Sequence, residues 1–316
     1  MANLDVCVVG EINLDLILYG LPKELVLDRE LLANGLALTL GSSSAICAHN
    51  LAMLGSKVGF VSKIGGDALG KMALERLSAA GVEVGRVKQT TGRTATGLTV
   101  ILPYLQQRYI LTYPGTMFEM QYSDIEMTYV RSARHLHVSS FFLHRALRPR
   151  ILELFRQAKA AGLSTSLDTN DDPENKWDRD LLEVLKQVDI FFPNDREAKK
   201  AARTEDLSQA INILAGLAKI VVVKRGASAA ICRSGQDQFS LMPPSVKTVD
   251  DVGAGDSFAA GFIHQFLTGA KLEDCLAYAN VVGAYSTTKE GGTEAFRDRS
   301  GLTNFIRQHS TASLRR

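Results

Sequence analysis

TVDDVGAGDSFAAGF, residues 248–262, is the stretch on which the reading of this 316-residue chain turns. Phe258, Phe262, Ile263 and Phe266 recur at spacings of three and four, with Ala and Gly between them, so this helix is apolar nearly all round and belongs in an interior. Its first turn nevertheless carries a carboxylate, Asp256, behind Gly253-Ala254-Gly255, three residues with almost no side chain. The first N–H groups of a helix have no intrahelical partner and the positive end of its dipole lies there, which makes a bare, buried helix start an anion site. Glycines cost backbone entropy, so stability alone explains the arrangement poorly. An ordinary N-cap on a tight turn is the alternative. A dinucleotide fingerprint fits worse: Phe258 stands where the third glycine belongs, and no first strand of a fold precedes it.

Working outward, short β-branched runs alternate with helical patterns, the signature of parallel βαβ units. Strands are expected at 6–9, 58–61, 135–139, 164–168, 190–192 and 220–224. Helices are expected at 42–54, 67–80, 147–161, 255–267 and 273–288, with a shorter one near Leu302. The series predicts an α/β fold with a doubly wound, mostly parallel sheet flanked by helices. Two segments break the alternation. Residues 12–40 interrupt the first βα unit, and residues 94–113 read as a hairpin turning near 105–107, with Leu98, Val100, Leu102 and Ile110 on one apolar face. These insertions are expected to build a small β-sheet lid on a single domain spanning 1–316, and paired lids would give a homodimer. The tail from His309 is expected to fray.

Bulk properties exclude several classes. A net charge of +2 with scattered basic residues gives no reason to expect nucleic acid or an anionic membrane as partner. No apolar run approaches a membrane span, and the N-terminus lacks a secretory pattern, so a cytoplasmic location is expected. Cys7, Cys47, Cys232 and Cys275 are far apart in apolar contexts and read as buried thiols. His137, in a probable strand end with His135, reads as a satisfied core residue.

A second phosphate-site candidate is IGGDALGKM, residues 64–72, nearly a Walker A loop except that Met72 replaces the Mg²⁺-binding Ser or Thr. Leu69, Met72, Ala73, Leu77 and Ala80 form one helical stripe, so Met72 reads as core and Asp67 as an N-cap.

The run Asp250-Asp251-Val252-Gly253-Ala254-Gly255-Asp256-Ser257-Phe258 resembles the signature of the ribokinase (PfkB) family of carbohydrate kinases. Other stretches extend the resemblance over nearly the whole chain: VVGEINLDLIL (8–18), GSSSAICAHNLAMLG (41–55), FPNDREA (192–198), VVVKRGASAA (221–230) and YANVVGAYSTTKEGG (278–292). It implies a ribokinase-like fold and transfer of the ATP γ-phosphoryl group to a hydroxyl of a small carbohydrate. Asp256 would be the general base, with Gly253, Ala254 and Gly255 as anion hole. Asn13, Asp15, Gly41, Ser42 and Ser43 would meet the sugar, with Arg108 from the hairpin as a further ligand unless it is merely solvated. Asn170, Asn194, Lys224, Gly226 and Asn280 would serve the nucleotide; Glu197 would hold Mg²⁺ through water, and Asp250 a monovalent cation such as K⁺. Taken alone, Asn194-x-x-Glu197 is equally a helix capping box.

The chain departs from the family where Ile46 replaces a common Asn and where Asp172 ends a D-x-N-x-R pattern that usually ends in Arg. An acid there disfavours an anionic substrate, so a neutral sugar or nucleoside is expected rather than a sugar acid. A nucleoside kinase using Ile46, Met117 and Phe118 as a base pocket, and a non-catalytic sugar-binding protein, are the competing readings.

Overall fold

The computed structural model describes residues 3–105 and 107–309; the hairpin tip at Gln106 and the tail beyond His309, where a turn and fraying were expected, lie outside them.

Among the described residues thirteen strands form two sheets. The strands are β1 (Leu4–Val9), β2 (Asn13–Tyr19), β3 (Gly35–Leu40), β4 (Val58–Ile64), β5 (Glu83–Gln89), β6 (Gly97–Tyr104), β7 (Gln107–Tyr113), β8 (Ala133–Val138), β9 (Ser164–Leu167), β10 (Ile190–Phe191), β11 (Ile220–Val223), β12 (Ala230–Ser234) and β13 (Asp237–Leu241). The large sheet runs β13-β12-β11-β10-β9-β8-β1-β4-β5, parallel from β5 to β11 and antiparallel thereafter. Central strands such as β1 and β11 are buried at successive positions because both faces are covered. Val6 and Val8 pack with Phe192, Phe262 and the Ser43–Met53 and Ala254–Leu267 helices, whereas Cys7 and Val9 pack on the other face with Leu154, Phe155 and Leu214. Burying one such side chain contributes about 1.5–3 kcal/mol. β5 escaped the sequence reading because it is an edge strand with half of its residues in water, and polar residues erase the pattern.

The order reverses at β1, with β4 on one side and β8 on the other, and a crevice opens there beyond the carboxyl ends of the strands. Residues that follow those ends, among them Glu11, Ser140, Asp168, Asn194 and Lys224, converge on that crevice.

The two insertions assemble the second sheet, β3-β2-β6-β7. Its register places Asp15 opposite Thr39 and Thr99, with Thr112 beyond, in one row on one face. The same register pairs Ile110 with Ile101, so Ile110 shares the face of Asp15 and not that of Leu98, Val100 and Leu102 as the sequence suggested. Shifting that pairing by one residue would exchange the faces.

All four cysteines are free and buried. Among the described residues no helix is long and apolar enough to cross a membrane.

Candidate active site

Gly253 caps the Ala254–Leu267 helix in the left-handed region, at φ 71°. A Cβ there would come within 2.6 Å of Gly292 Cα and 3.2 Å of the Ile46 side chain, so both the conformation and the packing demand glycine. Ile46 therefore props the bare turn from beneath. It is 2% exposed and, like the equally buried Met117, it offers no wall to a ligand, which removes two of the three residues proposed for a nucleoside-base pocket. The third, Phe118, lies under the Arg145 guanidinium, 4.2 Å from ring centroid to Cζ. Asn50 adds a second prop, donating to Ser257 Oγ at 2.9 Å and to the Gly292 carbonyl at 3.0 Å.

Asp256 is half-buried in the first turn of this helix. Burial is the largest influence on its carboxyl, with Asp168 adding and Lys224 and Ser43 opposing, and the result is a pKa pushed up to about 6. Lys224 lies across from it. Its ammonium is ion-paired with the buried Asp168, and its side chain fills the space beside Gly255, where a Cβ would meet Nζ at 3.4 Å. Burial opposes the Lys224 charge, but Asp168, Glu197 and Asp256 together raise its pKa.

On one side of Asp256 the cleft is polar. Asp15 is buried against Asp256 and Asp250, and burial first, then those two charges, lift its carboxyl to about 7 while Arg108 opposes. Gly41 lies against it: a Cβ at Gly41 would be 2.1 Å from Asp15 Oδ1. Asn13 donates to Thr99 Oγ1 at 2.7 Å, and its Oδ1 is buried without a partner, an acceptor left open for a hydroxyl. Ser42 differs from expectation. It is the helix N-cap at φ 69°, accepts from Ala45 N at 3.2 Å and donates to the Glu11 carbonyl, so its hydroxyl is already committed. Arg108 is held by Asp251.

On the other side lies a cavity of about 550 Å³, lined by Gly226, Met242, Pro243, Val246, Phe258, Asn280 and Ala284, with Lys224 and Gly255 at its mouth. Apolar walls with few polar groups suit a planar base. Gly226 turns at φ 55° and Asn280 donates to the Leu241 carbonyl at 2.9 Å. The 242–248 segment was missed in the sequence because its Pro-Pro pair marks only irregular structure. Asn170 is not among these lining residues; its amide instead donates to Ser43 and Ser140, on the polar side.

Asn194 and Glu197 form the capping box, with Asn194 N and Nδ2 donating to Glu197 at 2.8 and 2.6 Å and Glu197 N returning to Asn194 Oδ1 at 2.9 Å. The box does not exhaust the carboxylate, since each oxygen keeps a lone pair. Burial, partly offset by Lys224, raises Glu197 to about 7. Asp250 accepts from Tyr19 Oη at 2.8 Å, Val252 N at 3.0 Å and Gly291 N at 3.0 Å.

Asp172 reverses an argument drawn from the sequence. Its carboxylate accepts from Glu174 N, Lys176 N and Trp177 N at 3.0, 2.7 and 2.8 Å, tying up its own loop, so it says nothing about the charge of a ligand. The near-Walker loop is likewise closed. Asp67 accepts from Gly70 N at 2.9 Å and Thr96 N at 2.7 Å, occupying the helix start, while Lys71 points to solvent beside Glu75 and Met72 packs half-buried on the core. His135 and His137 are buried and bonded through both ring nitrogens to serines.

A profile for the pfkB family carbohydrate kinases matches residues 3–299. The chain is 32% identical over 257 residues to an ATP-dependent ribose-1-phosphate kinase of Halopiger xanaduensis, covering 81% of this chain and 82% of that one. It is 29% identical over 280 residues to a cytidine kinase of Thermococcus kodakarensis, covering 86% and 92%. An Arabidopsis thaliana ribokinase complexed with ribose and ATP superposes with a TM-score of 0.80 at 26% identity, over 97% of this chain and 99% of that one.

Proposed function

From the premise that the chain belongs to the pfkB family of carbohydrate kinases, and is an ATP-dependent phosphotransferase acting on a hydroxyl, we propose how its cleft does the chemistry. Asp256 is the base: it lies between the polar cleft and the apolar cavity, at a helix start that has no side-chain cap and so can offer N–H groups to a phosphoryl group. The sugar lies against Asp15 and the open Asn13 acceptor, with one hydroxyl facing Asp256. ATP lies in the 550 Å³ cavity with its γ-phosphoryl group at Gly253–Gly255. Lys224 balances the charge that spreads over the phosphoryl oxygens, and the helix N–H groups meet it preorganised. As the O–P bond to the sugar forms and the bond to ADP breaks, the hydroxyl proton passes to Asp256. A carboxylate is a weak base toward an alcohol, and it suffices because the transition state is loose and the proton leaves late. Mg²⁺, when bound through water at Glu197, supplies neutralisation of the phosphate charge. A monovalent cation beside Asp250 belongs to the same reading, since Oδ1 keeps one lone pair.

The observation that carries this is Asp256 at a bare helix N-terminus with Lys224 across from it. Asp256→Asn is expected to lower kcat at least a hundredfold while ATP still binds; turnover near wild type would remove the base. A neutral carbohydrate is favoured because Arg108, whose charge bears on Asp15, is engaged by Asp251. In a substrate panel, a higher kcat/KM for ribose 1-phosphate than for any neutral sugar would overturn that choice. A homodimer through the small sheet and a cytoplasmic location complete the reading, the latter supported by four buried free thiols.

A further inference from the structure

Glu11, which lies just beyond β1, is buried and has no place in the chemistry described above. Its carboxylate accepts from Ser44 Oγ at 2.5 Å and Ser140 Oγ at 2.7 Å, with Ser44 N at 3.3 Å and His144 Nε2 at 3.4 Å. Burial works against its charge, but His144 and the two serine hydroxyls hold its pKa near 2, so it is an acceptor only. The single proton of Ser140 is therefore spent on Glu11, and the Ser140 oxygen must accept its other bond. That bond comes from Asn170 Nδ2, at 2.8 Å. The amide orientation of Asn170 is thus fixed by the network, and its second N–H falls on Ser43 Oγ. Ser43, having accepted, has its own proton free, and its hydroxyl favours the charged form of the Asp256 carboxylate. Each of the three bonds from Glu11 to Ser43 has one permitted direction.

We propose that Glu11 is a positioning residue that acts through Ser140, Asn170 and Ser43 to keep the Ser43 hydroxyl donating to Asp256. The proposal rests on Asp256 being the base. A donor to the charged form stabilises it, so the chain keeps Asp256 ionised and aimed. Glu11→Gln undoes this by an identifiable route. The new amide can donate to Ser140, Asn170 can then turn its oxygen toward Ser43, and Ser43 gives its proton to Asn170 instead of Asp256.

The charged groups around Asp256 make the test sharp. Asp168, Glu11 and Asp15 raise its pKa or are raised by it, and Lys224 lowers it. By charge alone, removing Glu11 would move the acid limb of kcat to lower pH; reversal of the chain moves it to higher pH. Glu11→Gln and Ser43→Ala are each expected to raise the limb by about one pH unit, lowering kcat about tenfold below it with recovery above pH 8. The double variant should shift no further than either single one. Ser140→Ala, which leaves Glu11 in place, stands in if Glu11→Gln melts below the assay temperature. Asp256→Asn is measured alongside. If it is inactive while the limb in the other variants stays put or falls, the relay is wrong and the base stands; if it remains active, both fall.

Discussion

At the scale of single residues, three carboxylates in the cleft are lifted toward neutrality, Asp15 and Glu197 to about 7 and Asp256 to about 6, burial being the largest cause in each. Each binds its proton more tightly folded than unfolded. Their contribution to stability is therefore full below the ordinary carboxylate range and is lost as pH rises through 6 to 7. Glu11, held near 2, acts oppositely: its contribution is present above about 4.5 and is lost as pH falls toward 2. The ligand-free protein should accordingly melt higher at pH 5.5 than at pH 8, and Asp15→Asn should shrink that difference. Thermal scans at the two pH values check this, and an identical difference in variant and wild type would reject it. Activity should run the other way, kcat rising through pH 6 as Asp256 ionises. Asp15 and Asp256 were readable as candidates because a carboxylate in an apolar run is out of place. The role of Glu11 was not, since a hydrogen-bond chain through residues 11, 43, 140 and 170 exists only once four separate segments meet.

At the scale of elements, helix starts proved the most legible features and also the easiest to misjudge. Two of them carry an Asp near glycines, at 65–70 and 253–256, and the difference lies in what reaches the N–H groups. Asp67 fills its own helix start, so Lys71→Ala should leave the Kd for ATP and kcat unchanged; a tenfold weaker Kd would restore the Walker reading. At the second start no side chain caps the helix, and the small sheet touches the turn ahead of it. Val252 packs with Ile17 and Ile101, Tyr19 bonds Asp250, and Arg108 pairs with Asp251, three consecutive residues ahead of Gly253. Val252→Ala and Tyr19→Phe should each lower kcat about fivefold to tenfold, corresponding to about 1–1.4 kcal/mol, with the Kd for ATP nearly unchanged. Steady-state kinetics beside ATP titration separate these quantities, and a loss confined to ATP affinity would count against the clasp.

At the scale of the whole molecule, the small sheet turns one face to the cleft and the other to solvent. Leu36, Tyr109, Leu111 and Tyr113 lie on that outer face, each more than half exposed, with Leu98, Val100 and Leu102 half-buried beside them. β3 and β7 are its edges. A contiguous apolar face of this kind suits a second copy of itself. Leu111→Lys should convert a dimer to a monomer in sedimentation equilibrium or light scattering, and a wild type that is monomeric at high concentration would end the idea.

The sequence by itself determined the alternation of strand and helix, hence a parallel sheet covered on both faces, and the bare helix start with its carboxylate, because periodicity and missing side chains are local properties. Only the tertiary structure decided what each polar group faces. Asp172 spends its carboxylate on its own loop, Ser42 caps a helix, Ile46 supports a turn, and Ile110 belongs to the opposite face of its hairpin. The physical reason is that a side chain's chemistry is set by the partners it finds and the water it loses. Those partners come from segments tens to hundreds of residues away, brought together where the strand order reverses.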